Sequence, residues 1–464
     1  MYESVDPKVN FPKQEEKILK FWEENKIFEK SVSQREGCEE YVFFDGPPFA
    51  TGLPHFGHFI PSTIKDIIPR YQTMKGKKVE RRFGWDCHGL PVENLIEKEI
   101  GLKSKTEIEE YGIDKFNEAC RASVLRYTNE WRQTITRLGR WVDFDNDYKT
   151  MNPDYMESIW WIFKSLWDKG LVYEGHYILP TCPRCATPLS SHEVATGGYK
   201  EVHDPAITIR FKVIKAGPNT NDNEIANGST YFLAWTTTPW TLAANSALCV
   251  GPKIDYVAIQ TFNPYTSEHI TVVMAEARVA AYFKEDGKDA DFSAYKQGDK
   301  VLPWKIVANY KGTDLVGMTY EQLMPAIKPL TDGAFRVIPG DYVTTEDGAG
   351  IVHIAPNFGA DDAFVAKKAG VPPIVLIDKK GNERPVVDLQ GKYFVLDELD
   401  EQFVSNNVNE KEWQKFAGRF VKNAYDETLT DKDETLDISI CMDLKAQGKV
   451  FKIEKHVHNY PHCW

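Results

Sequence analysis

The sequence predicts an α/β nucleotide-binding core interrupted by a β-rich inserted domain. Three observations predict it. Extended runs, loops and helical patterns alternate over the first 180 residues. After Pro180 the texture changes to short β-branched segments separated by Gly, Asn and Asp. The length of 464 residues exceeds the size at which single cores usually split, so two or three domains are expected.

The elements follow in order. Residues 14–30, "QEEKILKFWEENKIFEK", place Ile18, Phe21, Trp22 and Ile27 near helical spacing, with charges between. "EYVFFDG" (40–46) reads as a buried strand running into a loop. A helix is expected from Gly57 to about Met74, with Gly76 as its stop. "RRFGWDCHGLPVEN" follows, then more helix through Arg137. "PDYMESIWWIFKSLWDKG" has Pro153 in its first turn and Gly170 at its end. Ile159, Ile162, Phe163, Leu166 and Trp167 form its expected buried stripe. "PAITIRFKVI", "STYFLAWTTTPWT", "DYVAIQTF", "HITVVMA" and "AGIVHIAP" read as strands of the inserted domain. Residues 397–437 turn acidic and polar and read as a surface insertion.

Composition excludes some classes. With 42% hydrophobic and 27% charged residues the chain has an ordinary globular make-up. The net charge of −12 makes no global case for a nucleic-acid binder, so any such contact is local, and DNA is not an expected partner. No stretch approaches the ~20 apolar residues that span a bilayer, so no membrane partner is expected. Eight cysteines in so long a chain make no disulfide scaffold, which points to a reducing, cytoplasmic setting.

"PHFGHF" (54–59) carries the first chemistry. A helix N-terminus offers unpaired N–H groups and partial positive charge, a seat for phosphate. His55 and His58, at i and i+3, share the face of that first turn. Gly57 between them leaves room for a flat base against the backbone. Alone, two histidines at this spacing also fit a capped helix with an exposed imidazole pair.

The flanking blocks decide between these readings. "DGPPFATGLPHFGH", then "STIKDIIPRYQTMKG", then "RRFGWDCHGLPVE" resemble the class I aminoacyl-tRNA synthetases, in family order and over nearly the whole chain. The resemblance implies the first half of a Rossmann-like class I synthetase catalytic domain, interrupted by a β-rich editing domain. Its expected parts are a catalytic portion (1–180), the first half of a zinc-ribbon-like connector (181–199) and the editing domain (200–395). The acidic insertion (396–438) and a return segment (439–464) complete it. His55, Gly57 and His58 would then contact ATP, held with Mg²⁺, and the two imidazoles would be catalytic by stabilising phosphate charge. Phe56 is a variation that the family tolerates. Pro47 and Asp86 would bind the amino acid, Pro47 along its side chain and Asp86 at its ammonium.

"AWTTTPWTLAAN" (234–245) resembles the editing fingerprint of the branched-chain members. Valyl and leucyl types typically carry Arg at Thr238 and an acidic residue at Trp240, so the resemblance is to the isoleucyl type. "RLGRWVDFDNDYKTM" (137–151) agrees, particularly with its eukaryotic-like branch. Ala243 stands where Pro is usual. Thr236, Thr237, Thr238 and Asn245 would contact the tRNA terminus or position water. In "GAGIVHIAPNFGADD" (348–362), His353 would help bar the larger side chain and Asp362 would hold the ammonium of the misattached amino acid. Such a second site has a physical rationale. One methylene changes binding in an apolar pocket by only ~1–3 kcal/mol, and isoleucine against valine is the usual illustration of that limit.

Cys182 and Cys185, in "LPTCPRCATPL", have the spacing of a zinc clasp, and Cys463 in "HNYPHCW" would be a third ligand, with His462 or water as a fourth. Reduced, unmetallated thiols remain the alternative. "MKGKKVERR" (74–82) is a basic cluster, read as a solvated face rather than a phosphate contact. The family's second ATP motif, Lys-Met-Ser-Lys-Ser, is not found. The expectation is therefore an N-terminal portion of a synthetase that joins isoleucine to its tRNA. A valyl or leucyl synthetase, a free-standing editing deacylase and a silent RNA-binding relic are the alternatives.

Overall fold

The computed structural model describes residues 7–103, 105–175, 177–183, 186–217, 220, 228–426, 428–430 and 432–462. It divides into two units, Met1–Gly175 and His176–Trp464.

The first unit opens with α1 (Phe11–Glu24), whose N-cap Asn10 accepts a bond from the Lys13 N–H at 3.1 Å. The single helix expected over 14–30 is in fact two. Lys26 takes a left-handed conformation, φ 48°, and α2 (Ile27–Ser33) starts afresh. The segment at 40–46 is not a buried strand. It touches its neighbours through isolated parallel bridges, Glu40 to Lys78 and, further on, Phe49 to Asp86, and it leaves Val42 and Phe44 exposed. Apolar residues made the run look like a strand, but it lacks a continuous partner.

Helix α3 (Phe56–Met74) follows, then β1 (Arg82–Trp85), α4 (Leu90–Ile100), α5 (Lys105–Tyr111), α6 (Ile113–Ser123), α7 (Thr128–Arg137), β2 (Asp143–Lys149) and α8 (Pro153–Asp168). Strands β1 and β2 pair in parallel, as a helical crossover demands. A Cβ at Gly84 would overlap the Tyr148 ring, so only glycine lets these strands close. Phe83, Trp85, Val92, Val124, Trp131 and Ile135 form the core. The expected buried stripe of α8 is exposed within this unit, with Ile159 at 46% and Trp167 at 53% accessible. Its neighbours Trp160 and Trp161 are exposed too, so the periodicity identified the helix without identifying a partner for it.

The second unit begins with a small pair, β3 (Thr181–Cys182) and β4 (Thr187–Pro188), and α9 (Ser191–Gly197). The main strands are β5 (Tyr199–Lys215), β6 (Thr230–Thr236), β7 (Ala247–Val250), β8 (Asp255–Phe262), β9 (His269–Ala275), β10 (Lys305–Lys311), β11 (Thr319–Tyr320), β12 (Arg336–Pro339) and β13 (Ile351–Ile354). A hairpin, β14 (Leu376–Ile377) and β15 (Glu383–Arg384), and the long β16 (Val450–Pro461) complete them. The order β10-β8-β9-β6-β13-β7-β12-β11-β5-β16, with β6 also paired to β5, closes β6, β13, β7, β12, β11 and β5 into a ring. Closure removes open edges from these strands. Ile207, Ile209, Phe211, Phe232, Leu248 and Val250 point into the ring's core.

The 396–438 segment supplies Phe403, Trp413, Phe416, Val421 and Leu436 to that same core, so it is packed structure and not only an acidic surface. Most of its charge lies on the outside while its aromatic residues fill the inside, with Asp437 buried among them. No helix among the described residues is long and apolar enough to cross a membrane.

Candidate functional site

In the first unit, the loop 46–53, the start of α3, Pro91 and α7 surround a cavity of about 470 Å³. His55 is the N-cap of α3, and its Nδ1 accepts the Gly57 N–H at 3.1 Å. His58 Nδ1 accepts the His55 N–H at 3.2 Å. Each ring is thus held by its Nδ1, which leaves Nε2–H as the donor of both neutral imidazoles. The rings lie 3.7 Å apart between centroids, and His58 packs on Trp131 at 4.7 Å. Burial, His55 and Lys65 hold the His58 pKa below the usual histidine value. A Cβ on Gly57 would come within 2.9 Å of the His55 ring, so the space beside this glycine is taken by imidazole.

Pro47, His55 and His58 line the cavity. Asp86 stands off it, at the end of β1. Its N–H bonds to the Pro48 carbonyl at 2.9 Å, and its carboxylate receives the Thr150 hydroxyl at 3.4 Å.

Sequence reading missed the cations. Lys65 and Arg140 both reach the cavity, and both are anchored on Asp45, Arg140 at 2.6 Å. Arg140 also donates to Ser62 at 3.2 Å, and Tyr148 donates to the Asp45 carbonyl at 2.8 Å. Two cations against one carboxylate leave the wall net positive, which suits an anion. No carboxylate lines the cavity among the described residues, so the wall itself offers Mg²⁺ no ligand of its usual kind. The Asp45–Arg140 pair spans 95 positions, and no local signal announces it.

The basic cluster at 74–82 is largely neutralised. Lys77 pairs with Glu39 at 2.6 Å, Lys78 with Glu36 at 3.1 Å, and Arg81 is buried against Phe28 and Thr73. Burial lowers the Arg81 pKa to about 10.

In the second unit, the pairing of β6 with β13 at Trp235 and Val352 brings two distant motifs to one level. Thr236 and His353 are the next residues on those strands. The 3₁₀ turn Pro239–Ala244 follows β6, and the helix Ala360–Ala369 follows β13. Thr236 Oγ1 accepts the Thr238 N–H at 3.0 Å and lies 3.1 Å from Thr238 Oγ1. Half-buried Thr237 lies between them.

Thr241 donates its hydroxyl proton to the Thr238 carbonyl at 2.8 Å, so it must accept from His353 Nε2 at 3.0 Å. His353 Nδ1 then accepts from Asn245 Nδ2 at 3.4 Å, and Asn245 Oδ1 accepts the Tyr320 hydroxyl at 2.8 Å. The network fixes a neutral His353, and burial agrees by lowering its pKa to about 4. Asp362, in the first turn of its helix, accepts the Ala355 N–H at 2.9 Å. Burial raises its pKa to about 6, against the Ala355 bond and with help from Asp361. Thr241 and Tyr320 are the site residues that sequence reading left out. Thr241 was legible as the last hydroxyl of "TTTPWT".

Cys182 is buried in β3. Cys185 and Cys463 lie outside the described residues, and among the described residues no group of three or more His, Cys, Asp or Glu could hold a metal ion.

The chain thus assembles two constellations, an imidazole pair at a helix N-terminus and a threonine turn beside a buried histidine. The chain belongs to the class I aminoacyl-tRNA synthetases: residues 17–440 match the family described as tRNA synthetases class I (I, L, M and V). Within that class it is similar to proteins named isoleucine–tRNA ligase. One from Bacteroides fragilis is 53% identical, over 96% of this chain and 39% of its own length. One from Treponema denticola is 54% identical, over 100% of this chain and 39% of its own length. The chain thus spans about 39% of the length of these relatives. A solved chain titled "The crystal structure of GlLeuRS-CP1" is also similar, at 17% identity over 54% of this chain and 99% of that one, with a TM-score of 0.31.

Proposed function

We propose that this chain serves a synthetase that joins isoleucine to its tRNA, binding ATP and isoleucine in its first unit and hydrolysing mischarged valyl-tRNA in its second. Ligases of this kind work in the cytoplasm. The observation that carries the reading is the β6–β13 pairing, which brings His353 within hydrogen-bond reach of the threonine turn from a motif more than a hundred positions away, with Asp362 in the helix that follows β13. Thr238 and Trp240 favour isoleucine over the valyl and leucyl alternatives.

In the first unit, the Nε2–H groups of His55 and His58, with Lys65 and Arg140, meet the phosphates. Asp86 holds the isoleucine ammonium and Pro47 flanks its side chain. The isoleucine carboxylate attacks the α-phosphate, the bond to pyrophosphate breaks, and isoleucyl-adenylate forms. The residues contribute position and charge stabilisation, without a covalent enzyme intermediate. Mg²⁺ arriving with ATP supplies further neutralisation of phosphate charge. A tRNA hydroxyl then takes the isoleucyl group and AMP leaves.

In the second unit, Asp362 fixes the ammonium of misattached valine by a charge-assisted bond. Thr236, Thr237, Thr238 and Asn245 orient the terminal ribose and a water. Water adds to the ester carbonyl, and valine and free tRNA depart. His353, held neutral by Thr241 and Asn245, shapes the wall that excludes isoleucine.

The test uses protein of its natural length. Isoleucine-dependent ATP–pyrophosphate exchange should fall ~10²–10³-fold in His58→Ala. Valine release from precharged tRNA should vanish in Asp362→Ala. Exchange that prefers valine or leucine over isoleucine would overturn the assignment. Zinc bound by Cys182, Cys185 and Cys463 belongs to the same reading, and elemental analysis of wild type and Cys182→Ser decides it.

A further inference from the structure

The threonine turn is held from outside its own strand. Its 3₁₀ segment starts at Pro239, and the Trp240 N–H has no partner within the turn. Asp437 Oδ1 accepts that N–H at 2.9 Å, from a position 197 residues away. The Tyr393 hydroxyl donates to the carbonyl of the same Trp240. Both polar backbone groups of Trp240 are therefore satisfied by side chains of the 393–437 segment.

Asp437 is only 1% exposed. Its Oδ2 pairs with Lys422 at 3.0 Å, Lys422 pairs with Asp204 on β5 at 2.8 Å, and Asp204 meets His458 on β16 at 3.0 Å. The chain of charges runs from two strands of the sheet to the backbone of the turn. Trp240 is followed directly by Thr241, the residue that receives the His353 proton and neighbours Thr238.

We propose that Asp437 is a positioning residue for hydrolysis: it caps the turn in trans and sets the register of the Thr236, Thr238 and Thr241 hydroxyls against His353. This rests on the hydrolytic reading of the turn. Lys422 and Asp204 hold the Asp437 carboxylate in the one orientation that reaches Trp240. The aromatic side of the segment, Tyr393 tilted against Trp413 at 5.4 Å between centroids, holds the other end of the peptide. The acidic segment is thereby part of the site's frame.

The experiment compares Asp437→Ala with Asp437→Asn in protein of natural length. Both remove the charge facing Lys422, which keeps Asp204 as its partner, and Asp437→Ala also leaves the Trp240 N–H unpaired. Only Asn retains an oxygen for the Trp240 N–H. Positioning predicts that Asp437→Ala lowers kcat for valine release about 10²-fold per folded molecule, with KM little changed, because displacement of about an ångström costs that much. It also predicts that Asp437→Asn recovers to within about tenfold of wild type. ATP–pyrophosphate exchange should be unaltered in both. Equal impairment of the two variants per folded molecule, or wild-type release by Asp437→Ala, would overturn the proposal. Asp362→Ala is the control. If it still releases valine, the hydrolytic reading fails and takes this proposal with it, whereas failure of the Asp437 comparison alone leaves that reading standing.

Discussion

Asp362 should cost the fold stability at the pH where it works. Burial lifts its pKa from 3.8 to about 6, so above pH 6 the protein holds a charge in a place that favours the neutral acid. A difference of that size corresponds to about 3 kcal/mol. The folded state binds more protons than the unfolded state between these values. The favourable contribution of neutral Asp362 is therefore complete below pH 3.8 and is lost as pH rises through 6. Asp362→Asn removes the charge but keeps an acceptor for the Ala355 N–H. It should stabilise the chain by up to about 3 kcal/mol at pH 8 and by almost nothing at pH 4. Urea unfolding of wild type and variant across this range measures the difference directly. The same variant should lose valine release, because a neutral amide offers an ammonium no charge. A destabilised Asp362→Asn at pH 8, or a difference that does not change with pH, would refute the reasoning.

The other expectations concern the groups around it. His353, with its pKa lowered to about 4, should destabilise the fold as pH falls from 6.5 to 4, and His353→Gln should lessen that acid sensitivity in the same unfolding series. Gly57→Ala should depress pyrophosphate exchange and loosen the start of α3, since its methyl displaces the His55 ring that caps the helix; exchange assays and thermal unfolding measure the two effects. Arg140→Met leaves Asp45 with Lys65 alone, so a loss in unfolding smaller than the ~3 kcal/mol of an unpaired buried charge, and weaker ATP binding by calorimetry, are expected.

Much of the site was legible because its information is local. "PHFGH" announces both a helix start and two imidazoles, and the structure gives His55 the capping role as well. The threonine run and "GIVHIAP" each read as a strand leading into a turn. Their meeting needed the β6–β13 pairing, which sequence spacing does not encode. Asp45, Lys65 and Arg140 were missed for the same reason, each being an ordinary surface residue in its own window. The 40–46 run and the stripe of α8 failed differently. Apolar residues report that burial is favourable, not that a partner is at hand, and neither run has a continuous one in its unit. The acidic segment misled because its aromatic residues are too sparse to outweigh the charges between them.

The ladder between β5 and β16 sets what the second unit can tolerate. Tyr199 pairs with Pro461, and the register runs inward to Ile209 and Val450. Entry and exit of the long excursion therefore lie side by side, as the two rails of one stem. Once that stem has formed, loop-closure entropy grows only with the logarithm of what lies between. Doubling the enclosed length would cost about 0.6 kcal/mol. The surface loops between the rails can thus lengthen at little thermodynamic cost, provided that the stem keeps its register and Asp437 still reaches the turn.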